Sequence, residues 1–240
     1  MTHSFLKHTL FLDIETVSEK PDYSTMSPVM QELWNLKSVQ LQRGADPMVG
    51  AEDMYQQKAG IFAEFAKVIC ISVGFIQQED DGNWRMKLKS FAGDDEKVVL
   101  TEFCALLQKY YQDPEKHRLC GHNIKEFDIP FLCRRLMIHG LSLPSLLDLS
   151  GKKPWQTSHI ADTMDMWRFG DFKNYTSLNL LAAVLDIESP KDDIDGSMVG
   201  KVYWDEKNLP RIVTYCEKDV YTVAQVALKL WGVPVSLQKG

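Results

Sequence analysis

The stretch Thr9-Leu10-Phe11-Leu12-Asp13-Ile14-Glu15-Thr16 constrains this chain more than any other. Residues 8–14 carry the β-branched and aromatic side chains of a strand, yet acids stand at positions 13 and 15. Side chains on a strand repeat with period two, so both carboxylates project from one face. Two like charges side by side repel, and a bound cation makes such a pair favourable. A strand end open to water, where paired acids are harmless, fits the same residues.

The order of the remaining elements suggests what surrounds this strand. A second strand is expected over 67–77 and a third over Trp84–Phe91, where apolar and basic residues alternate after the turn-forming Asp80-Asp81-Gly82-Asn83. Residues 18–66 do not read as strand; Ser27-Pro28 and Asp46-Pro47 are helix starts, so this segment is a mostly helical insertion. Asp94 then caps a helix to about Tyr111, Arg118–Gly121 is a short strand, and Ile129–His139 is a helix closed by Gly140. A fifth strand falls near His159–Asp162, and a helix over Ser177–Leu185 carries Leu178, Leu181, Ala182 and Leu185 on one side. A last long helix turns Leu209, Ile212, Val213, Cys216, Val220, Val223, Ala224 and Ala227 toward the sheet. The expected fold is α/β: a mixed sheet flanked by helices, in one domain over residues 1–240 with an insertion at about 18–66.

Two further segments bring acids into play. Gly121-His122-Asn123-Ile124-Lys125-Glu126-Phe127-Asp128-Ile129-Pro130 lies between a short strand and a helix. Asp128 stands where an N-cap would, so capping and cation binding are both open to it. Asn123 also suits a turn, and Phe127 a core. In Tyr215-Cys216-Glu217-Lys218-Asp219, the i, i+4 spacing stacks a phenol and a carboxylate on one helical face. Such a pair alone is weak evidence; its order after the other two motifs gives it meaning. Asp162 and Asp165 read as capping and packing residues, His122 as a hydrogen-bonded structural histidine, and Lys125 as a solvated lysine or a phosphate contact. Asp192, Asp193 and Asp195 before Gly196 read as a turn.

Together the three motifs resemble the DEDD exonuclease superfamily, with its ribonuclease H-like fold. The family's four acids fall on Asp13, Glu15, Asp128 and Asp219. Tyr215 matches the tyrosine subclass, since the histidine subclass would have His at position 214, which is Thr214 here. Asp13 to Thr16 and Asn123 to Pro130 are similar to signatures of the proofreading domains of family B DNA polymerases, and the chain looks like free-standing bacterial relatives of those domains. The segment Lys191 to Ser197 is of a kind such relatives share; no polymerase domain is expected after residue 240. The departure is the insertion at 18–66, which puts substrate length and strandedness in doubt.

The resemblance implies 3′-to-5′ removal of nucleotides from a nucleic acid with a free 3′ end, with two Mg²⁺ or Mn²⁺ ions. It places Asp13 between both ions, Glu15 and Asp219 on the ion beside the attacking water, and Asp128 in support of the second. Tyr215 would orient the water, and Ile14, Thr16, Asn123 and Phe127 would meet the terminal nucleotide. Single-stranded DNA is the expected substrate. An exoribonuclease, or a catalytically silent nucleic-acid-binding module, is the alternative.

Charge argues against a broad duplex-binding surface but not against a site that grips one chain end. Lys and Arg number 27 against 33 Asp and Glu, a formal net charge of −6, which is unfavourable for wrapping a long polyanion through phosphate contacts. Four of those acids belong to the proposed cluster, where two divalent cations would cancel them. The five cysteines form no C-x-x-C pair, so free thiols are expected, and no Cys/His cluster points to zinc. Thr9–Ile14 is too short for a signal peptide or a span, so a cytoplasmic protein without membrane association is expected.

Overall fold

The computed structural model describes residues 4–44, 48–187 and 194–240. Six strands form one mixed sheet in the order β5-β4-β1-β2-β3-β6. β1 is Thr9–Ser18, β2 Ala66–Gln78, β3 Trp84–Ala92, β4 Arg118–Gly121, β5 Ile160–Asp162 and β6 Leu237–Lys239. The first three pair antiparallel, whereas β4 joins β1, β5 joins β4 and β6 joins β3 in parallel. β1 runs four residues past the expected end at Ile14, because β2 continues beside it to Ala66.

Helices cover both faces of β1, which explains its nearly unbroken apolar run. Leu10, Leu12 and Ile14 join the core under α3 (Glu96–Tyr110) and α4 (Asp128–Ile138). Phe11, on the opposite face, packs with Val220, Val223 and Ala224 of α8 (Leu209–Leu230). Asp13 and Glu15 share that face, so the long C-terminal helix lies over both acids. At Gly74, directly across from Phe11, an added Cβ would stand 2.2 Å from Met86 Cε and 3.2 Å from a Val220 methyl, so a bare backbone lets α8 sit this close. One irregularity falls beside the acids. Glu15 pairs with Cys70 but Thr16 with Val68, leaving Ile69 as an extra residue in β2.

The 19–65 segment is helical, as expected, and has its own small core. α1 (Pro28–Leu41) starts where Ser27 accepts the Met30 N–H at 3.4 Å. α2 (Ala51–Lys58) follows Gly50; the Asp46-Pro47 helix start lies outside the described residues. Trp34 contacts Tyr55 and Phe65 edge-on with centroids 5.4 and 5.0 Å apart, and its indole N–H donates to Ala51 O at 2.8 Å.

Several other expectations need adjustment. The cap of α3 is Asp95, whose carboxylate accepts from Lys97 and Val98, while Asp94 accepts a 2.7 Å bond from the Tyr203 hydroxyl. Asp128 is the first residue of α4 and Phe127 its cap, so the capping role falls away. Two short helices, α5 (Thr163–Arg168) and α7 (Val199–Trp204), and strand β6 go beyond the expected elements; α6 (Leu178–Val184) begins at the expected Ser177 cap. Residues 188–193, with Lys191, Asp192 and Asp193, lie outside the described set, and Asp195 makes the expected turn by accepting from Ser197 N at 2.8 Å.

Candidate active site

The middle of β1, the start of α4 and the middle of α8 bring the candidate acids together. Asp13 and Glu15 project toward α8, opposite Ser72 and Cys70 of β2. From α8, the Cys216 thiol donates to Asp13 Oδ2 at 3.3 Å, and ligand atoms of Asp13, Glu15 and Cys216 all lie within 4.8 Å of one another. Burial, then the charges of Glu15, Asp219 and Asp128, push the Asp13 carboxyl well above its usual range, with the Cys216 thiol offsetting part of the rise. Burial and the charges of Asp219 and Asp128 act likewise on Glu15, with Cys70 contributing. Asp128 is pushed up to about 7 by burial and by Asp162, against hydrogen bonds from its own backbone N–H and that of Ile14.

Tyr215 stands one helical turn before Asp219 and hydrogen-bonds to it. Burial, then the carboxylates of Asp219, Glu15 and Asp13, raise the phenol far above its ordinary value. A phenol raised in this way is suited to positioning a partner through its hydroxyl rather than to acting as a free base. The donor set is oxygen-rich, and the charges acting most strongly on Asp13 are negative. These are the surroundings that suit hard divalent cations such as Mg²⁺ and Mn²⁺.

The loop before α4 is held from below by Asp162. Its two oxygens accept from the backbone N–H groups of Asn123 and Lys125 at 3.0 and 3.1 Å, while also capping α5 through Met164 and Asp165. Gly121 begins this loop because an added Cβ there would meet Ile124 at 2.7 Å. His122 bridges Thr163 Oγ1 at 2.9 Å and Thr176 O at 2.8 Å, the structural role expected of it. Lys125 pairs with Asp165 at 3.0 Å.

A cleft of 840 Å³ opens beside the acids, and Ile14, Glu15, Thr16 and Phe127 line it. Asn123 is not among its walls; it holds a φ of 60° in the turn, and its buried side-chain oxygen has no hydrogen-bond partner. The Thr16 hydroxyl donates to Gly60 O at 2.7 Å, tying the insertion to the strand. The insertion forms one wall through Pro21, Asp22, Gln56, Gln57, Lys58, Gly60 and Ile61, and Gly196–Trp204 contributes another through Ser197, Lys201 and Trp204.

Three residues near the site escape motif reading. Cys216 had a signal: it is three residues before Asp219 on the same helix, although its apolar spacing also fits core packing. Cys70 is brought in only by strand pairing across Glu15. Tyr175, which lines the cleft and feels the Asp128 charge, lies in a loop without periodicity.

A mixed sheet flanked by helices, with carboxylates gathered along its inner strand β1, is an α/β arrangement consistent with the ribonuclease H-like exonucleases. The chain belongs to the family described as predicted 3′-5′ exonucleases related to the exonuclease domain of PolB, whose model matches residues 61–237. It is thus a predicted phosphodiester hydrolase acting on nucleic acid, from a family of typically metal-dependent enzymes. The match includes Asp128, Tyr215 and Asp219 but begins after Asp13 and Glu15. No curated protein matches the chain. Among the described residues no helix is long and apolar enough to cross a membrane.

Proposed function

We propose that this chain is one DEDD-type exonuclease domain of the tyrosine subclass, with the 18–66 insertion as a wall of its cleft, removing nucleotides from the 3′ end of single-stranded DNA. The observation that carries the reading is the set of acids whose charges act together on Asp13 and Glu15. Asp219 and Asp128 act on both Asp13 and Glu15, although more than a hundred residues separate the first pair from the second two. Buried like charges destabilise a fold unless something opposes them, and Asp13, Glu15, Asp128 and Asp219 would hold two divalent cations between them. When bound, such ions supply acidity to an attacking water and stabilise charge on the leaving 3′ oxygen.

The chain's own side chains do the rest. Tyr215, protonated and hydrogen-bonded to Asp219, orients the water through its hydroxyl. Cys216 holds Asp13 by its Oδ2, fixing how the other oxygen is presented. Ile14, Thr16 and Phe127 face the cleft where the terminal nucleotide would lie, and Asn123 shapes the turn behind Phe127. Preference for DNA is supported by kinship to a DNA polymerase's exonuclease domain.

Incubation of 5′-labelled single-stranded DNA and RNA with Mg²⁺ or Mn²⁺, with and without chelator, tests the reading. A ladder shortening from the 3′ end of DNA, stopped by chelator, is expected. Metal-independent cleavage, or none on either polymer, overturns it; cleavage of RNA alone would transfer it to an exoribonuclease.

A further inference from the structure

The loop joining α5 to α6 exposes three aromatic rings that lie outside the core. Phe169, Phe172 and Tyr175 are 89%, 75% and 67% exposed. Single exposed apolar residues are ordinary, but three large rings within seven residues of one loop are not. Phe169 also holds a φ of 45°, in the left-handed region that bulky side chains avoid. It thereby ends α5 with its ring outside the core.

The loop is anchored at both ends to the segment that carries Asp128. Arg168, on the near side, binds Glu126 at 3.0 Å and Asp165 at 3.3 Å, and it also stands over the Phe172 ring at 5.8 Å. On the far side, Thr176 O accepts from His122 at 2.8 Å. Tyr175 belongs to the cleft wall together with Phe127, so the loop that carries the exposed Phe169 and Phe172 reaches the cleft at its far end.

Resting on the exonuclease reading of that site, we infer that residues 169–175 form a base-stacking platform for the unpaired nucleotides on the 5′ side of the one being removed. Its occupant is single-stranded nucleic acid. A net charge of −6 leaves little for a grip based on phosphates, whereas ring-on-base stacking needs no net charge and tolerates any base. Arg168 before the loop is engaged by Glu126 and Asp165, and Lys173 on it is matched by Asp171, so what the loop offers is ring faces rather than net charge. A duplex offers few free base faces, so the platform itself favours a single strand. A paired end must fray before its bases reach the rings.

Fluorescence anisotropy of 5′-fluorescein dT₁₀ in chelator, where no hydrolysis occurs, compares wild type with the Phe169→Ser, Phe172→Ser double variant. The variant should bind about 10- to 100-fold more weakly, with an unchanged salt slope and an unchanged melting temperature. A blunt duplex of the same length should show no such difference between the two proteins. Equal affinity for dT₁₀, or a loss seen equally with the duplex, overturns the platform. In parallel, wild type with Mn²⁺ is offered the p-nitrophenyl ester of thymidine 5′-monophosphate, which is too small to reach the loop. Failure to cleave both this ester and DNA would sink the exonuclease reading, while the anisotropy result still decides the platform separately.

Discussion

Glu96 and Asp13 are both carboxylates largely withdrawn from water, and they meet opposite surroundings. Glu96, 5% exposed, accepts from Val68 N at 2.7 Å and Arg135 Nε at 2.9 Å, and lies 2.6 Å from His139 Nε2. Arg135 reaches on to Glu19 and to Ala63 O, each at 2.9 Å, so the pair clamps α3, α4 and both ends of the insertion together. Asp13 faces Glu15, Asp219 and Asp128, with one thiol to soften them. A paired buried charge contributes to the fold already formed. A group of like charges is an unmet demand, and its energy becomes available only when cations arrive.

Removing a member of each group should therefore have different effects. Asp13→Ala or Asp219→Ala should reduce hydrolysis of a labelled oligonucleotide to background, a loss on the order of 10⁴-fold, or about 5 kcal/mol of transition-state stabilisation. In chelator the same variants should unfold at the same or higher denaturant concentration than wild type, since a repulsion has gone. Wild-type turnover in either would remove the acids from the chemistry. Arg135→Met should instead lower unfolding free energy by roughly 3–5 kcal/mol, because Glu96 is left buried without its partner. Urea melts measure this, and a loss below about 1 kcal/mol would mean that the clamp is not structural.

Two smaller effects sharpen the contrast. The folded-state values of Asp13 and Glu15 are raised, and that of Asp128 is raised to about 7. Carboxyls that hold protons more tightly when folded favour the fold at low pH, and that contribution is lost as pH rises through their folded values. Metal-free protein should thus lose stability from ~4, the unfolded value, up to about 7 and beyond. Mn²⁺ at a hundredfold excess over its Kd should restore about 2.7 kcal/mol at neutral pH. A flat pH profile without metal, or no metal effect on melting, would contradict the unmet demand. Tyr215→Phe, which keeps every acid, should retain Mn²⁺ binding and lose about 10²-fold in single-turnover rate. A variant as fast as wild type would assign Tyr215 to helix packing alone.

The catalytic candidates are more legible in the sequence than the walls around them. Asp13, Glu15, Asp128, Tyr215 and Asp219 stand in short motifs whose spacing follows strand and helix periods, and the fold brings them to one place. Asp95 and Asp94 show the limit of local reading: either suits a cap, and only the distant Tyr203 hydroxyl takes Asp94 away. β6 is three residues long and exists because β3 offers an open edge, which no local pattern announces. The cleft walls come from Gln56, Tyr175 and Lys201, far apart in sequence and unremarkable in type. Cys216 was visible as an apolar-face residue, but its contact with Asp13 depends on how deeply α8 settles over Gly74.

The surplus residue at Ile69 bears on how this strand tolerates deletions. Every other interior residue of β2 holds its neighbours to alternate faces, so losing one would turn the rest of the strand over and carry Lys67 toward the apolar layer that Val68 now occupies. Ile69 alone sits between pairs, with Glu15 against Cys70 on one side and Thr16 against Val68 on the other. Deleting its codon would leave both pairs, and the direction of every side chain beyond them, as they are. In a scan of single-codon deletions across residues 66–78, position 69 is where the reading frame of faces survives, and the loss there is the isoleucine's packing beside Val17 and Ile212 together with the bond its carbonyl accepts from Gly93 N at 3.1 Å.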